Sequence, residues 1–102
     1  MDKKVYIRDY DCRKKEIIIP DFEDVVELEV MVISGDEILA VLYKNGRIKK
    51  FDSSDDRFVS YYDGSYIVPL DKVDEFSAMD CDSYSVFEYF ADLEGGKKNN
   101  EN

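Results

Sequence analysis

Hydrophobic and polar residues alternate with a period of two along most of the first seventy positions, and this pattern predicts β-strands. The alternation falls into short runs that are separated by polar or glycine-containing segments. The predicted strands are residues 4–8, 16–20, 25–33, 38–43 and 47–51. Because turn signals join neighbouring runs, we expect the strands to pair in antiparallel fashion.

Two dipeptides in this part of the chain are strong signals for tight turns. Asn45-Gly46 is typical of a type I′ hairpin turn, because both central residues of that turn need a positive φ. Asp63-Gly64 has the same character and predicts a second hairpin. The strands of that second hairpin would be residues 57–62 and 65–69.

After Pro69 the alternation ends and a helical pattern begins. Asp71 is expected to cap a short helix that runs to about Met79. Val73 and Phe76 fall on one side of this helix, which we expect to be its buried side.

A second helix is marked more strongly by its sequence. Ser85 and Glu88 have the spacing of a capping box, and Gly95 is a typical helix end. The apolar stripe of this helix consists of Val86, Phe90 and Leu93. Residues 96–102 contain no apolar anchor, so we expect a disordered tail there.

Together these elements predict one α+β domain over residues 1–95. Its sheet would be an antiparallel β-meander of five to seven strands, open or curled into a small barrel, followed by two short C-terminal helices. The run at 38–43 is apolar on both faces, and so is the end of the run at 25–33, where Met31 and Ile33 lie. Both sheet faces therefore need cover. We expect the C-terminal helix to supply it, and a homodimer that buries one sheet face is the alternative.

We expect a cytoplasmic location for the chain. No apolar run approaches the ~20 residues that a membrane span needs, and the opening MDKKVYIRDYD lacks a signal-peptide core. Cys12 and Cys81 are far apart in sequence and form no CxxC motif, so we expect free thiols that could pair only if the fold brings them together.

Charge is distributed unevenly along the 102 residues. The whole chain has a net charge of −10, and residues 1–51 hold 11 acidic and 10 basic side chains, which leaves them at −1. Residues 52–102 hold 13 acidic and 4 basic side chains, which puts nearly all of the negative charge in the second half. A segment with such an imbalance repels nucleic-acid phosphates and anionic membranes.

Metal binding and catalysis both lack their usual signals. A calcium loop that started at Asp52 would have Arg57 at its glycine position, and one that started at Asp80 would have Ser85 there. The chain has no histidine, so the commonest general base and the Ser-His and Cys-His nucleophile pairs are missing. No glycine-rich phosphate loop is present. We therefore expect no catalytic residues, no metal and no cofactor.

Direct nucleic-acid binding is also disfavoured. The chain has 14 phenylalanine and tyrosine rings, which could stack on bases if they lined a basic groove. Nine of these rings lie within the acidic segment 52–96, where phosphates would be repelled.

The acidic half can instead form a surface for a basic protein partner. Tyrosines lie among the acidic residues, and tyrosine is a favoured interface anchor. The predicted partner-binding residues are Asp52, Asp55, Asp56, Asp63, Asp80, Asp82, Glu88, Asp92, Glu94, Tyr61, Tyr62 and Tyr89. Like charges at Glu88 and Asp92, one helical turn apart, weaken the second helix slightly, which favours a functional role for them.

In size, charge and lack of catalytic residues, the chain resembles the small DNA-mimicking inhibitors of phages and plasmids, anti-CRISPR proteins among them, and acidic immunity proteins. The resemblance implies a non-enzymatic inhibitor that occludes the basic, nucleic-acid-binding surface of another protein, such as a nuclease. The alternative is a structural or adaptor protein, homodimeric through its apolar sheet face, whose acidity serves solubility.

Overall fold

The computed structural model describes residues 1–51 and 62–98, and for residues 94–98 it describes the backbone alone. The described strands are β1 (Lys3–Arg8), β2 (Lys14–Ile19), β3 (Val25–Ile33), β4 (Asp36–Tyr43), β5 (Ile48–Phe51) and β6 (Tyr62–Val68). The helices are α1 (Val73–Ala78) and α2 (Ser83–Lys98), and short 3₁₀ turns lie at Phe22–Asp24 and Leu70–Lys72. The protein is α+β, as the alternation of the first seventy residues followed by a helical pattern predicted.

The six described strands form two antiparallel sheets. β1 and β2 make a two-stranded hairpin, and the other four strands form a sheet in the order β5-β4-β3-β6. Within the described part of the chain, the two edge strands of this sheet, β5 and β6, do not pair with each other, so the sheet is open and not closed into a barrel. The short connections of β3, β4 and β5 explain why these three strands are neighbours in sequence order.

The hydrophobic core lies on one face of the four-stranded sheet, between the sheet, the β1–β2 hairpin and the two helices. Tyr66 of β6 stacks on Phe90 of α2 with 5.5 Å between ring centroids, and Phe76 of α1 meets Phe90 edge-on at 5.8 Å. The predicted burial of Val73, Phe76, Val86 and Phe90 is confirmed. The predicted burial of Leu93 is wrong, since that side chain is 40% exposed.

The opposite face of the four-stranded sheet, which we call the outer face, is also rich in apolar residues. Its described side chains follow from the strand register and include Ile48 and Lys50 of β5, Ile38, Ala40 and Leu42 of β4, Glu27, Glu29, Met31 and Ile33 of β3, and Tyr62, Ser65 and Ile67 of β6. Most of its apolar side chains are half-buried, and Ile48 is 60% exposed. Both described helices lie on the core side, so they cover the core face of the sheet and not its outer face.

Asp63-Gly64 is not a turn, which corrects the prediction of a hairpin there. Both residues lie within β6. Gly64 is opposite Val32 and Tyr62 is opposite Ile33. Asp63 has no partner of its own in this pairing, so it is the extra residue of a β-bulge. Gly64 has a φ of 134°, and a Cβ there would lie 2.7 Å from the ring of Phe87. The glycine permits close packing of α2 on the sheet. The predicted strand partner at 57–61 lies outside the described residues.

Asn45-Gly46 does connect two strands, but its geometry differs from the prediction. The Gly46 N–H donates to the Tyr43 carbonyl at 2.8 Å, and only the glycine has a positive φ, 91°. This is a three-residue connection with a bulge at the glycine in place of a type I′ turn. Asn45 stabilises it because its side-chain oxygen accepts a hydrogen bond from the Arg47 N–H at 3.0 Å.

Both helices begin differently from their predicted caps. Asp71 lies in the 3₁₀ turn that precedes α1, and no side chain caps α1. α2 begins at Ser83, two residues before the predicted Ser85 cap, and Asp82 accepts the backbone N–H of Ser85 at 2.8 Å. α2 also continues through Gly95 to Lys98, so the predicted helix end is three residues early. The tail prediction for the last residues, 99–102, falls outside the described chain.

Neither described helix has the length and apolar character that a membrane crossing requires.

Candidate functional site

The exposed side of α2 carries a row of residues spaced one helical turn apart. Tyr84, Glu88 and Asp92 occupy successive turns, and all three are exposed. The inward side is fixed by Val86 and Phe90, which are completely buried against the sheet. The packing of the helix therefore directs this tyrosine and these two carboxylates toward solvent.

Asp63 connects β6 to the first turn of α2. Its Oδ2 accepts hydrogen bonds from the Gly35 N–H at 3.2 Å and from the Tyr84 hydroxyl at 3.1 Å. The bulge in β6 accounts for this position, because the extra residue is displaced from the regular strand pairing. Partial burial and the hydrogen bond to Asp63 raise the pKa of Tyr84. Tyr84 thus remains a neutral donor beside a carboxylate.

A shallow groove of about 410 Å³ lies beside these residues. Its lining consists of Asp63, Asp82, Tyr84, Ser85, Phe87 and Glu88. Three carboxylates and two aromatic rings therefore surround one open depression. We call this groove, together with the exposed row along α2, the acidic surface.

Asp82 has a structural role in addition to its place in the groove. Its carboxylate caps α2 through the Ser85 N–H, and its backbone carbonyl accepts the Val86 N–H at 3.1 Å. The hydrogen bond from the Ser85 backbone lowers the pKa of the Asp82 carboxyl. The residue therefore keeps its negative charge to lower pH than an ordinary aspartate does.

Tyr89 lies beside the acidic surface and links the two helices. Its hydroxyl donates to the Glu75 carboxylate of α1 at 2.6 Å, and this hydrogen bond raises the pKa of Tyr89. The tyrosine side chain is 37% exposed, so part of its ring remains accessible. Glu75 also lies 3.8 Å from the Lys72 ammonium.

Two further predicted partner-binding residues, Asp80 and Tyr62, lie apart from this surface. Asp80 is exposed but lies 2.9 Å from the Lys14 ammonium at the hairpin. Tyr62 is 64% exposed and lies opposite Ile33, which places it with the outer face of the sheet. Asp52, Asp55, Asp56 and Tyr61 lie outside the described residues, as does the side chain of Glu94.

A second cluster of titratable groups lies deep in the core, between the two sheets. Arg8 of β1 and Glu37 of β4 form an ion pair at 3.1 Å, and both side chains are 0% exposed. Glu37 also accepts the Arg8 backbone N–H at 2.7 Å and the Tyr66 hydroxyl at 3.5 Å. The guanidinium lies 4.6 Å from the centre of the Phe76 ring and donates to the Phe76 carbonyl.

Burial raises the pKa of Glu37, and the Arg8 charge opposes that rise. Burial likewise raises the pKa of Tyr66. Perturbed titratable groups often mark active sites, but complete burial gives this cluster no access to a substrate. We interpret it as the polar contact that fixes the β1–β2 hairpin and α1 to the four-stranded sheet.

Sequence reasoning missed several members of both clusters. Tyr84 and Phe87 line the groove, although the helical pattern alone gave no reason to separate them from core residues. Arg8 and Glu37 are ordinary charged residues at strand ends, and only the packing of the hairpin on the sheet buries them. Within residues 1–51 and 62–98, no group of three or more histidine, cysteine or acidic side chains could hold a metal ion.

Comparisons with known proteins found no match among protein-family models, curated proteins or solved structures.

Proposed function

We propose that this chain is a small cytoplasmic, non-enzymatic binding protein whose acidic surface occludes a basic, nucleic-acid-binding surface of another protein. The observation that carries the proposal is the groove, where Asp63, Asp82 and Glu88 surround Tyr84 and Phe87. These carboxylates come from two separate segments, so the fold concentrates negative charge beyond what any one segment supplies. A lysine or arginine of a partner fits such a groove, since a cation is attracted both to carboxylates and to aromatic faces.

The spacing of the carboxylates on α2 fits a partner surface that normally binds phosphates. Residues one helical turn apart have Cβ atoms about 5–6 Å apart, and Glu88 and Asp92 have this spacing. Successive phosphates along a nucleic-acid strand have comparable separations, because the rise of about 3.4 Å per residue adds to the sweep around the axis. Among the described residues, no ion pair engages Glu88 or Asp92. Both charges are therefore open to a partner.

Tyr84 in the acidic surface and Tyr89 beside it supply aromatic contacts for a partner. Tyr84 is 52% exposed and Tyr89 is 37% exposed, and each hydroxyl is already held by a carboxylate. A ring that is fixed before binding loses little conformational entropy when a partner covers it. In the expected complex the two tyrosine side chains therefore pack against the partner, and the carboxylates around them contact its basic residues.

The test is affinity capture from a lysate of the native host, with the wild-type chain and two charge-matched variants as baits. Glu88→Lys/Asp92→Lys reverses two charges on the acidic surface, and Asp2→Lys/Glu16→Lys reverses two exposed charges near the β1–β2 hairpin. We expect the wild type and the hairpin variant to capture the same basic protein at low salt. The α2 variant should lose that protein, and high salt should release it from the other two. Equal capture by both variants would contradict the proposal.

The outer face of the sheet favours a second candidate function, assembly as a homodimer. Glu29, Ala40 and Lys50 lie side by side in one row across β3, β4 and β5. A twofold axis parallel to the strands reverses strand order in the second copy, so β5 of one copy covers β6 of the other. Lys50 then lies near Glu29 of the second copy, whereas an axis across the strands at this row would place like charges together. The surrounding apolar side chains would supply the buried core of the interface.

Sedimentation over a range of protein concentrations tests this candidate. Each copy carries a charge of −10, so added salt should strengthen a dimer, whereas it should weaken capture of a basic partner. Glu29→Lys and Lys50→Glu should each weaken the dimer, and the double variant should restore it. A wild-type chain that stays monomeric at high concentration in high salt would contradict the homodimer.

A further inference from the structure

The fold brings the only two cysteines of the chain to the same place. Cys12 lies in the turn of the β1–β2 hairpin, and Cys81 lies in the connection between α1 and α2. The Cys12 Sγ is 3.8 Å from the backbone carbonyl oxygen of Asp80, the residue directly before Cys81. Both cysteines are exposed and reduced. Their 69-residue separation in sequence gave no indication of this proximity.

Several contacts hold the two segments together around the cysteines. The Lys14 ammonium lies 2.9 Å from the Asp80 carboxylate and donates to the Ser77 carbonyl at 3.2 Å. The Tyr6 N–H donates to the Ser77 hydroxyl oxygen at 3.1 Å, which fixes the end of α1 against β1. The approach of the two turns is therefore supported from both sheet and helix.

The remaining distance between the cysteines is small. A carbonyl oxygen and the next Cα belong to one planar peptide and lie about 2.8 Å apart, so the Cα of Cys81 lies within about 6.6 Å of the Cys12 Sγ. The Cα–Sγ distance of Cys81, about 2.8 Å, and an S–S bond of about 2.05 Å together span about 4.8 Å of this gap. Both residues lie outside the strands and helices, so the two turns can shift toward each other without breaking a strand or a helix.

We propose that Cys12 and Cys81 are a redox-sensitive pair that forms a reversible intramolecular disulfide. The oxidant is a low-molecular-weight disulfide such as glutathione disulfide. One cysteine thiolate attacks it, which forms a mixed disulfide and releases one glutathione thiolate. The second cysteine thiolate attacks the protein sulfur of the mixed disulfide and releases the second glutathione. Two protein thiols are oxidised, one small-molecule disulfide is reduced to two thiols, and the two protein protons pass to the released thiolates.

The bridge would join the hairpin turn to the residue that precedes the α2 cap. Cys81 is followed by Asp82, whose carboxylate holds the Ser85 N–H and lines the groove. The disulfide would thus fix the start of α2 to the hairpin. In a reducing cytoplasm such bonds are transient and serve sensing, in contrast to permanent structural disulfides. The proposal stands on the position of the two thiols and does not depend on the function proposed above.

Intact-mass spectrometry of the full chain after equilibration with mixtures of reduced and oxidised glutathione tests the pair. The wild type should lose the mass of two hydrogen atoms and carry no glutathione, whereas Cys12→Ser and Cys81→Ser should each carry one glutathione. The same wild-type chain unfolded in urea is the control for proximity. The native chain should form the bridge at a ratio of oxidised to reduced glutathione at least about tenfold lower than the unfolded chain needs. A native wild type that carries two glutathiones, or that bridges no more readily than the unfolded chain, would overturn the proposal.

Discussion

Glu37 and Glu88 have the same side chain, but Glu37 is buried in the core and Glu88 is exposed on the surface. Glu37 is completely buried on β4, where the Arg8 guanidinium, the Arg8 N–H and the Tyr66 hydroxyl surround its carboxylate. Glu88 is exposed on α2 at the edge of the groove, and within the described residues no cation pairs with it. All contacts of the Glu37 carboxylate are inside the core, whereas the Glu88 carboxylate is accessible to a partner.

Burial, and not residue type, decides what a carboxylate does in this protein. A buried charge is costly unless it is fully paired, so Glu37 can persist only with its donors in place. An exposed charge loses little free energy by remaining unpaired, because water solvates it. Substitutions in the two regions should therefore separate stability from binding.

Glu37→Leu should give the largest loss of stability. It would leave the Arg8 guanidinium buried without its carboxylate, and breaking a buried pair in this way costs about 3–5 kcal/mol. Chemical denaturation of the wild type and the variant measures the effect. The double variant Arg8→Met/Glu37→Leu should be more stable than Glu37→Leu alone, since it removes the unpaired charge. A single variant that loses less than about 1 kcal/mol would show that the pair is not a main contact of the core.

Gly64→Ala should give the next largest loss. The φ of 134° is strained for alanine, at about 1–3 kcal/mol, and the new Cβ would also meet the Phe87 ring. Gly46→Ala is a matched control, because Gly46 has a φ of 91° and nothing lies within 4 Å of its Cβ position. The excess loss in Gly64→Ala, measured by the same denaturation, reports the contact of α2 with the sheet. Equal losses in the two variants would mean that Phe87 does not constrain this position.

Asp82→Ala should cause a smaller loss of stability that depends on pH. The native pKa of Asp82 is lowered, so its carboxylate stabilises the fold above the unfolded-state pKa of about 3.9, and this contribution disappears as the pH falls through the lower native value. Thermal unfolding of the wild type and the variant across acidic pH should show a difference that is full at neutral pH and shrinks toward low pH. A difference that stays constant with pH would argue against the charged cap.

Glu88→Lys/Asp92→Lys should have almost no effect on stability. Both side chains are exposed, and surface substitutions of this kind usually change the unfolding free energy by no more than about 0.5 kcal/mol. Denaturation measures the stability, and circular dichroism checks that the helix content is retained. A large loss would show that the acidic row contributes to the fold, which would break the contrast with Glu37.

The strands and the helix faces could be predicted from the sequence because they depend on local periodicity. The run from Val25 to Ile33 alternates in polarity over residues 26–30 and is apolar beyond them, and β3 has the limits that this run predicted. Val86 and Phe90 are buried one helical turn apart, as the helical period requires. Such local patterns predict burial well, because the geometry of a single strand or helix decides which residues share one face.

The remaining features depend on contacts between distant segments. Asp63-Gly64 has the composition of a turn, yet tertiary packing makes it a bulge, since Phe87 needs the space that glycine leaves. Arg8 and Glu37 are 29 residues apart, and nothing in the local sequence marks either as buried. The groove likewise combines β6 with the start of α2. Sequence patterns could predict that the second half is acidic, but not which carboxylates would meet.

Competition for nucleic acid tests whether the acidic surface occludes a nucleic-acid-binding surface of the partner. The captured basic protein would be purified, bound to fluorescent nucleic acid and titrated with the wild-type chain, with Glu88→Lys/Asp92→Lys and with Asp2→Lys/Glu16→Lys. We expect the wild type and the hairpin variant to displace the nucleic acid, and the α2 variant to leave it bound. A ternary complex, in which the partner binds the chain and the nucleic acid at the same time, would show that the acidic surface does not occlude the nucleic-acid-binding surface.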